Sequence, residues 1–240
     1  DLPITEQYLQ FLAGLQRGDL GVSLYTGQPV AAVIEAQLNG TLQLASLSLL
    51  IALALGIVLG GLGATRRRLG VRATARALSG LATSLPVATT GVVSLLLVIR
   101  AEAGFGLWLP SAVLGFAASG PFARAVQAGL ESSLRAPFLL AARARGLRKG
   151  GRIYWHALRP ALPPAVSLIA LETAFLFSGT VVTETVFSRP GLGRTLVRSI
   201  LQGDFPVAQG IVGLAALFYV GSQVLADGFV WILDPRTRAT

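Results

Sequence analysis

Five apolar segments, each close to the length of a bilayer crossing, leave this chain few ways to fold. They run roughly from Leu42 to Leu62, Leu81 to Ile99, Leu109 to Leu130, Ala165 to Phe187 and Ala208 to Leu233. A hydrocarbon core about 30 Å thick needs about 20 helical residues, and in lipid a helix satisfies its own backbone. The expectation is an all-α, polytopic membrane helical bundle with five spans. Composition agrees: 53% of residues are hydrophobic and only 13% charged, where an ordinary soluble domain carries about 25% charged residues.

A formal net charge of +9 invites a nucleic-acid reading. The basic residues, however, sit in short loops beside apolar spans, which is the pattern that sets membrane topology, so no nucleic-acid partner is expected. Arg66, Arg67, Arg68, Arg72 and Arg76 follow the first span, and Arg135, Arg143, Arg145, Arg148, Lys149, Arg152 and Arg159 follow the third. If the spans alternate, these lie on one side with Arg124, Arg236 and Arg238. That side holds fifteen of the 20 basic residues, leaving Arg17, Arg100, Arg189, Arg194 and Arg198 opposite. The positive-inside rule then puts Asp1 outside and the C-terminus in the cytoplasm, in a multi-pass cell-membrane protein.

The chain reads as one domain over 1–240, without repeats. An external segment (1–40) precedes three spans (41–130), a basic cytoplasmic loop (131–164) and two spans (165–233) around an external loop at 188–207. Ile4, Tyr8, Leu12 and Leu15 at helical spacing, and the stretch from Val30 to Leu38, predict short external amphipathic helices. Pro190, Gly191 and Gly193 followed by Leu196, Val197, Ile200 and Leu201 predict a turn and another external helix. Within the basic loop, Pro137 opens a short helix pattern that closes at Gly146, where a left-handed C-terminal residue costs least. Ala141, Ala142 and Gly146 give it a small-residue docking face, while Arg143, Arg145 and Arg148 are placed to meet acidic groups.

Cysteine is absent and His156 is the only histidine. Disulfides, thiolate chemistry and Cys/His metal sites are thereby excluded, and no convergent catalytic set or metal site is visible. Methionine is absent too, so the start of the product is expected to lie upstream of Asp1. Glu172 and Asp227 fall inside apolar spans, where an ionisable group should face the interior, a wet cavity or a partner. Glu172 is equally a pathway residue or a structural one. Asp227 reads as packing or assembly, and Glu184 as a structural contact to the external turn. Ser178, Thr180 and Thr183 are further candidates to line a pathway, although hydroxyls in membrane helices often bond back to carbonyls. Gly56 and Gly60 read as a close helix approach, Pro86 and Pro121 as kinks. Gly191-Leu192-Gly193 lacks the strand a nucleotide loop needs.

These residues carry a resemblance. Ala141-Ala142, Gly146, Leu158 and Pro160 resemble the signature cytoplasmic loop of permeases from binding-protein-dependent ABC importers, within them the dipeptide, oligopeptide and nickel branch. Arg17-Gly18-Asp19-Leu20-Gly21, Thr41-Leu42-Gln43-Leu44-Ala45, Glu184-Thr185-Val186-Phe187-Ser188-Arg189-Pro190-Gly191-Leu192-Gly193 and Asp234-Pro235-Arg236 match as well. Departures are Leu140, where many relatives have glutamate, Arg159 between Leu158 and Pro160, and Arg189 where tryptophan is usual. The resemblance implies a pore half without catalysis of its own, with a sixth, N-terminal span upstream. Its partners would be a second homologous permease, most simply in a heterodimer, two ABC ATPases that bind ATP and Mg2+, an extracytoplasmic substrate-binding protein, and lipid. It makes Ala141, Ala142, Arg143, Arg145, Gly146 and Leu147 an ATPase-coupling helix. Peptides are the expected cargo, nickel or another small solute the alternative. A secondary transporter would show paired repeats, which are not seen, and a structural membrane subunit is the remaining other class.

Overall fold

The computed structural model describes residues 3–65, 69–102, 104–147, 149–151, 157, 168, 172, 176 and 180–233. Among them there is no strand, only an isolated bridge between Val22 and Pro29. The helices are α1 (Ile4–Gln16), α2 (Val30–Thr65), α3 (Leu69–Ser84), α4 (Val87–Arg100), α5 (Trp108–Arg135), α6 (Pro137–Ala144), the short turn α7 (Lys149–Gly151), α8 (Leu192–Leu201) and α9 (Phe205–Leu233). Residues 180–186 are helical too, and Leu168, Glu172 and Leu176 lie on helical backbone ahead of them. At four-residue spacing these positions share a face. Glu172, Leu176, Thr180 and Glu184 are all buried, so that face points into the bundle.

The centre is a pair of helices, α2 and α5. Gly56 and Gly60 bring them together. A Cβ on Gly60 would sit 2.5 Å from the Ala123 carbonyl oxygen, and one on Gly56 2.3 Å from Phe122 Cδ1. Membrane helices lack a strong hydrophobic drive to associate, and such small residues let backbones gain dispersion contact. Leu44 and Ala52 of α2, Leu114 and Ala118 of α5 and Leu176 form the middle of the core. Phe122, Val126, Leu130, Leu139 and Ala157 close one end, and Val30, Ile34, Leu192, Val207 and Ile211 the other.

Three sequence expectations need correction. The stretch from Val30 to Leu38 is no separate external helix but the first turns of α2, which runs unbroken for 36 residues. Gly40, the weakest helix former at that junction, gives Pro190 room to pack: a Cβ there would lie 2.3 Å from the Pro190 carbonyl oxygen. The expected span from Leu81 to Ile99 does not exist as one rod, because α3 and α4 meet at 102°. Pro86 has no N–H to give and disfavours helical backbone at Leu85, so α3 stops and α4 restarts. At 1.5 Å per residue the 14 residues of α4 reach only about 21 Å. The basic stretch expected as a loop after the first span is helical from Leu69 onward. Among the described residues, two helices are long and apolar enough to cross a membrane, or three if the bent α3–α4 pair counts as one. Most of the expected fourth span lies outside the described residues.

Candidate functional site

At one end of the bundle α6 starts on Pro137, a favourable first helical residue, and ends at Gly146 with φ +76°. Leu147 N–H reaches back to the Ala142 carbonyl (3.3 Å) and Arg145 N–H to that of Ala141 (3.1 Å). The first is the long bond of a glycine-terminated helix, and it engages a carbonyl the helix would otherwise leave free. Phe138, Ala141, Arg145, Gly146 and Leu147 are exposed. Ala142 is not. Only 8% accessible, it lies three residues after Leu139, which packs on Phe122, Val126 and Leu130. The free face therefore loses Ala142 to the chain's own core and includes Phe138. The side chain of Arg143 and all of Arg148 lie outside the described residues.

Just before α6, Glu131 joins α5 to α3. Its Oε1 accepts from Arg76 (2.8 Å), Arg72 (3.3 Å) and Gln127 (3.0 Å). Partial burial by itself would raise the Glu131 pKa, but the Gln127 amide and the two guanidiniums hold it below the usual carboxylate range. The pairs are half exposed, so each is worth only about 0–1 kcal/mol. Sequence reasoning missed this link because it read Arg72 and Arg76 as loop charges.

In mid-bundle Glu172 is 7% accessible, and its Oε2 has no hydrogen-bond partner among the described residues. It lines a cavity of about 410 Å³ whose walls include Ser84, Leu85 and Pro86 at the α3–α4 bend and Ala117 and Pro121 of α5. Thr180 belongs elsewhere, in a cavity of about 420 Å³ shared with Thr41, Leu192 and Tyr219. The Thr183 hydroxyl donates back to the Thr180 carbonyl (3.3 Å). Glu172, Thr180 and Thr183 are all buried, yet only Glu172 faces the bend, and Ser178 lies outside the described residues. Asp227 is exposed and accepts from Gln223 one turn earlier (3.3 Å), so it does not face this chain's interior.

The other end is built around Glu184, which is fully buried. The Thr41 hydroxyl donates to its Oε1 (2.7 Å) and in turn accepts the Leu192 N–H (2.7 Å). Oε2 accepts the Arg194 N–H (3.0 Å), and the Gly193 N–H also bonds to the carboxyl group. Gly191 is obligatory here, since a Cβ would lie 2.2 Å from Glu184 Cδ. The preceding helix ends on Ser188 at φ +51°, with Arg189 N–H bonding the Glu184 carbonyl (2.9 Å). Phe187 meets Phe105 with ring centroids 5.7 Å apart. Two segments singled out in the sequence, Thr41–Ala45 and Glu184–Gly193, thus meet around one carboxyl group, and Glu184 contacts the turn as expected.

A second clasp escaped sequence reasoning. Asp204 caps α9, accepting the Val207 N–H, and also accepts the Ser23 hydroxyl and the Leu24 N–H (3.1 Å). It simultaneously closes α8, its own N–H bonding the Ser199 carbonyl (2.8 Å) across Gly203 at φ +70°. Burial alone would raise its pKa, but these donors hold it below the usual carboxylate range. The folded-state value is lowered, so the contribution to stability is present above the ordinary aspartate pKa of about 3.9 and is lost as pH falls through the lower folded value. Asp204→Asn should abolish that acid-dependent loosening and cost about 1–3 kcal/mol at neutral pH. Amide exchange at Leu24 and Val207 measures both; a variant with wild-type protection would show the clasp to be idle.

Residues 26–239 match the family described as binding-protein-dependent transport system inner membrane component. The chain belongs to this family. It is a membrane transport permease and not an enzyme. The glutathione transport system permease protein GsiC of Pectobacterium atrosepticum is 32% identical over 247 residues, spanning 99% of this chain and 81% of that one. The dipeptide transport system permease protein DppB of Escherichia coli is 30% identical over 278 residues, covering 99% and 82%. Among solved structures, the MetNI methionine ABC transporter in an inward-facing conformation superposes with a TM-score of 0.71 at 21% identity, over 84% of this chain and 96% of that one. An amino acid ABC transporter gives 0.69 at 15% identity, over 83% and 94%. At these identities the structures establish the shared fold of the permease.

Proposed function

We propose that this permease forms half of a peptide pathway in an ATP-driven importer. The other half is a second, homologous permease; two ABC ATPases bind ATP and Mg2+, and an extracytoplasmic binding protein delivers the peptide. The observation that carries this reading is similarity over 99% of the chain to permeases named for dipeptides and for glutathione, itself a tripeptide. Both names favour peptides over nickel. Reconstituted in vesicles with its partners, the permease is expected to accumulate labelled dipeptide only when ATP is supplied. Uptake of nickel with no peptide would sink the substrate class.

Coupling in this reading runs through α6, whose exposed Phe138, Ala141, Arg145 and Leu147 are free to enter an ATPase cleft. Glu131 with Arg72 and Arg76 then carries its displacement into α3 and the bend. The α6 end lies in the cytoplasm with the C-terminus, and the Glu184 end lies outside, as the charge bias favours. In this cysteine-free chain, a cysteine at Arg194 should react with an impermeant thiol reagent in intact cells and one at Arg145 should not. The reverse pattern would invert the orientation.

A further inference from the structure

The cavity beside Glu172 is walled mainly by apolar residues, with Glu172 as its one ionisable side chain among the described residues. No basic side chain lines it among the described residues, and Oε2 of Glu172 is unpartnered although the residue is more than nine-tenths buried. Pro121 has no N–H for the Ala117 carbonyl four residues earlier, and Pro86 has none for that of Ala82. Ala82 and Ala117 both line this cavity. The Thr83 hydroxyl is turned back on the Ser79 and Gly80 carbonyls (3.0 and 2.9 Å) and so donates into its own helix instead. What remains is one unpartnered carboxyl oxygen, with the Ser84 hydroxyl and two residues whose carbonyls lack the usual helical donor on the same wall, a setting complementary to a cation with several N–H donors. A buried carboxylate facing such a space is stabilised by a paired charge, and a primary ammonium offers three donors at once.

We propose that the cavity formed by the α3–α4 bend, Ala117, Pro121 and Glu172 binds a primary ammonium group. Resting on the peptide reading above, that group is the free α-ammonium of the transported peptide, which dipeptides and glutathione both carry. The volume of about 410 Å³ accommodates the amino end of a peptide. The site reads the amino terminus and leaves the side chains unread, so it serves peptides of varied sequence.

The test uses Ser84→Cys, an exposed wall position in a chain with no other cysteine. In the whole importer in vesicles, maleimide labelling of this subunit is followed by mass. Ethylammonium and alanyl-alanine should each slow labelling about threefold at twice their dissociation constants, because the free fraction is 1/(1 + [L]/Kd). N-acetyl-alanyl-alanine should not, and adding Glu172→Gln should remove the protection. Equal protection by the acetylated peptide, protection that survives Glu172→Gln, or no protection by either amine overturns the proposal. Should the double variant fail to assemble, the free and acetylated peptides compared on Ser84→Cys alone still decide. Ethylammonium protecting through Glu172 while the dipeptide does not would keep the ammonium site and defeat the peptide reading.

Discussion

Gly146→Glu is expected to give a permease that inserts and folds but transports at least about tenfold more slowly, either losing its ATPases or letting them hydrolyse ATP idly. The space around Gly146 is open, with no atom of the described residues within 4 Å of an added Cβ, so a side chain there starts without a clash. Its cost to folding is the left-handed backbone at φ +76°, about 1 kcal/mol, plus a smaller penalty for an anion at a helix C-terminus. A bundle of this size survives that. What it cannot keep is a close fit between α6 and a partner. Gly146→Ala carries the same backbone strain without bulk or charge, so it separates the two causes and should be far milder. Arg145→Ala should also be mild, since exposed ion pairs contribute about 0–1 kcal/mol. Ala142, being buried against the chain's own core, is the wrong probe. Transport and binding-protein-stimulated ATP hydrolysis are the measurements, and wild-type values of both for Gly146→Glu would remove the coupling role of α6.

Helix α6 was legible in the sequence because its signals are local: Pro137 starts it, Gly146 ends it, and both act within a single turn of backbone. A close helix approach at Gly56 and Gly60 was legible too, but not that its partner is α5. The α3–α4 bend was legible only in part: Pro86 reads as a kink, but the apolar window from Leu81 to Ile99 hid that it ends one helix and starts another at 102°. The carboxylate pairings were the least accessible. Ser23 and Asp204 stand 181 residues apart, Thr41 and Glu184 143 apart, and no periodicity links them. Glu184 was placed near the external turn, but its partner Thr41 was known only as part of a matched segment. For Glu172 the sequence left two roles level, and its unpartnered oxygen beside two prolines is the observation on which the proposed ammonium site rests.

Glu184→Ala should be the most destabilising single substitution at the far end of the bundle. It removes the acceptor for the Thr41 hydroxyl and for the Arg194 and Gly193 N–H groups, all in a site that water does not reach. Each buried donor left unmatched costs about 1–3 kcal/mol, and because they are neighbours the sum is less than additive, so about 2–4 kcal/mol is expected. For a chain of this length that corresponds to a fall in melting temperature of about 5–15 °C in detergent. The glycine loop makes the loss hard to repair: Gly191 has no side chain to fill the space left by the carboxyl group, and Thr41 must still accept the Leu192 N–H. Glu184→Gln, which retains one acceptor oxygen but turns an amide towards the backbone donors, should fall between. Thr41→Ser preserves both hydrogen bonds and should lose little, whereas Thr41→Ala breaks the bridge between α2 and the loop. Were Glu184→Ala to melt with the wild type, the donors must find other acceptors, and the buried carboxyl group would have to be explained by something other than holding α2, the 190–193 turn and α8 together.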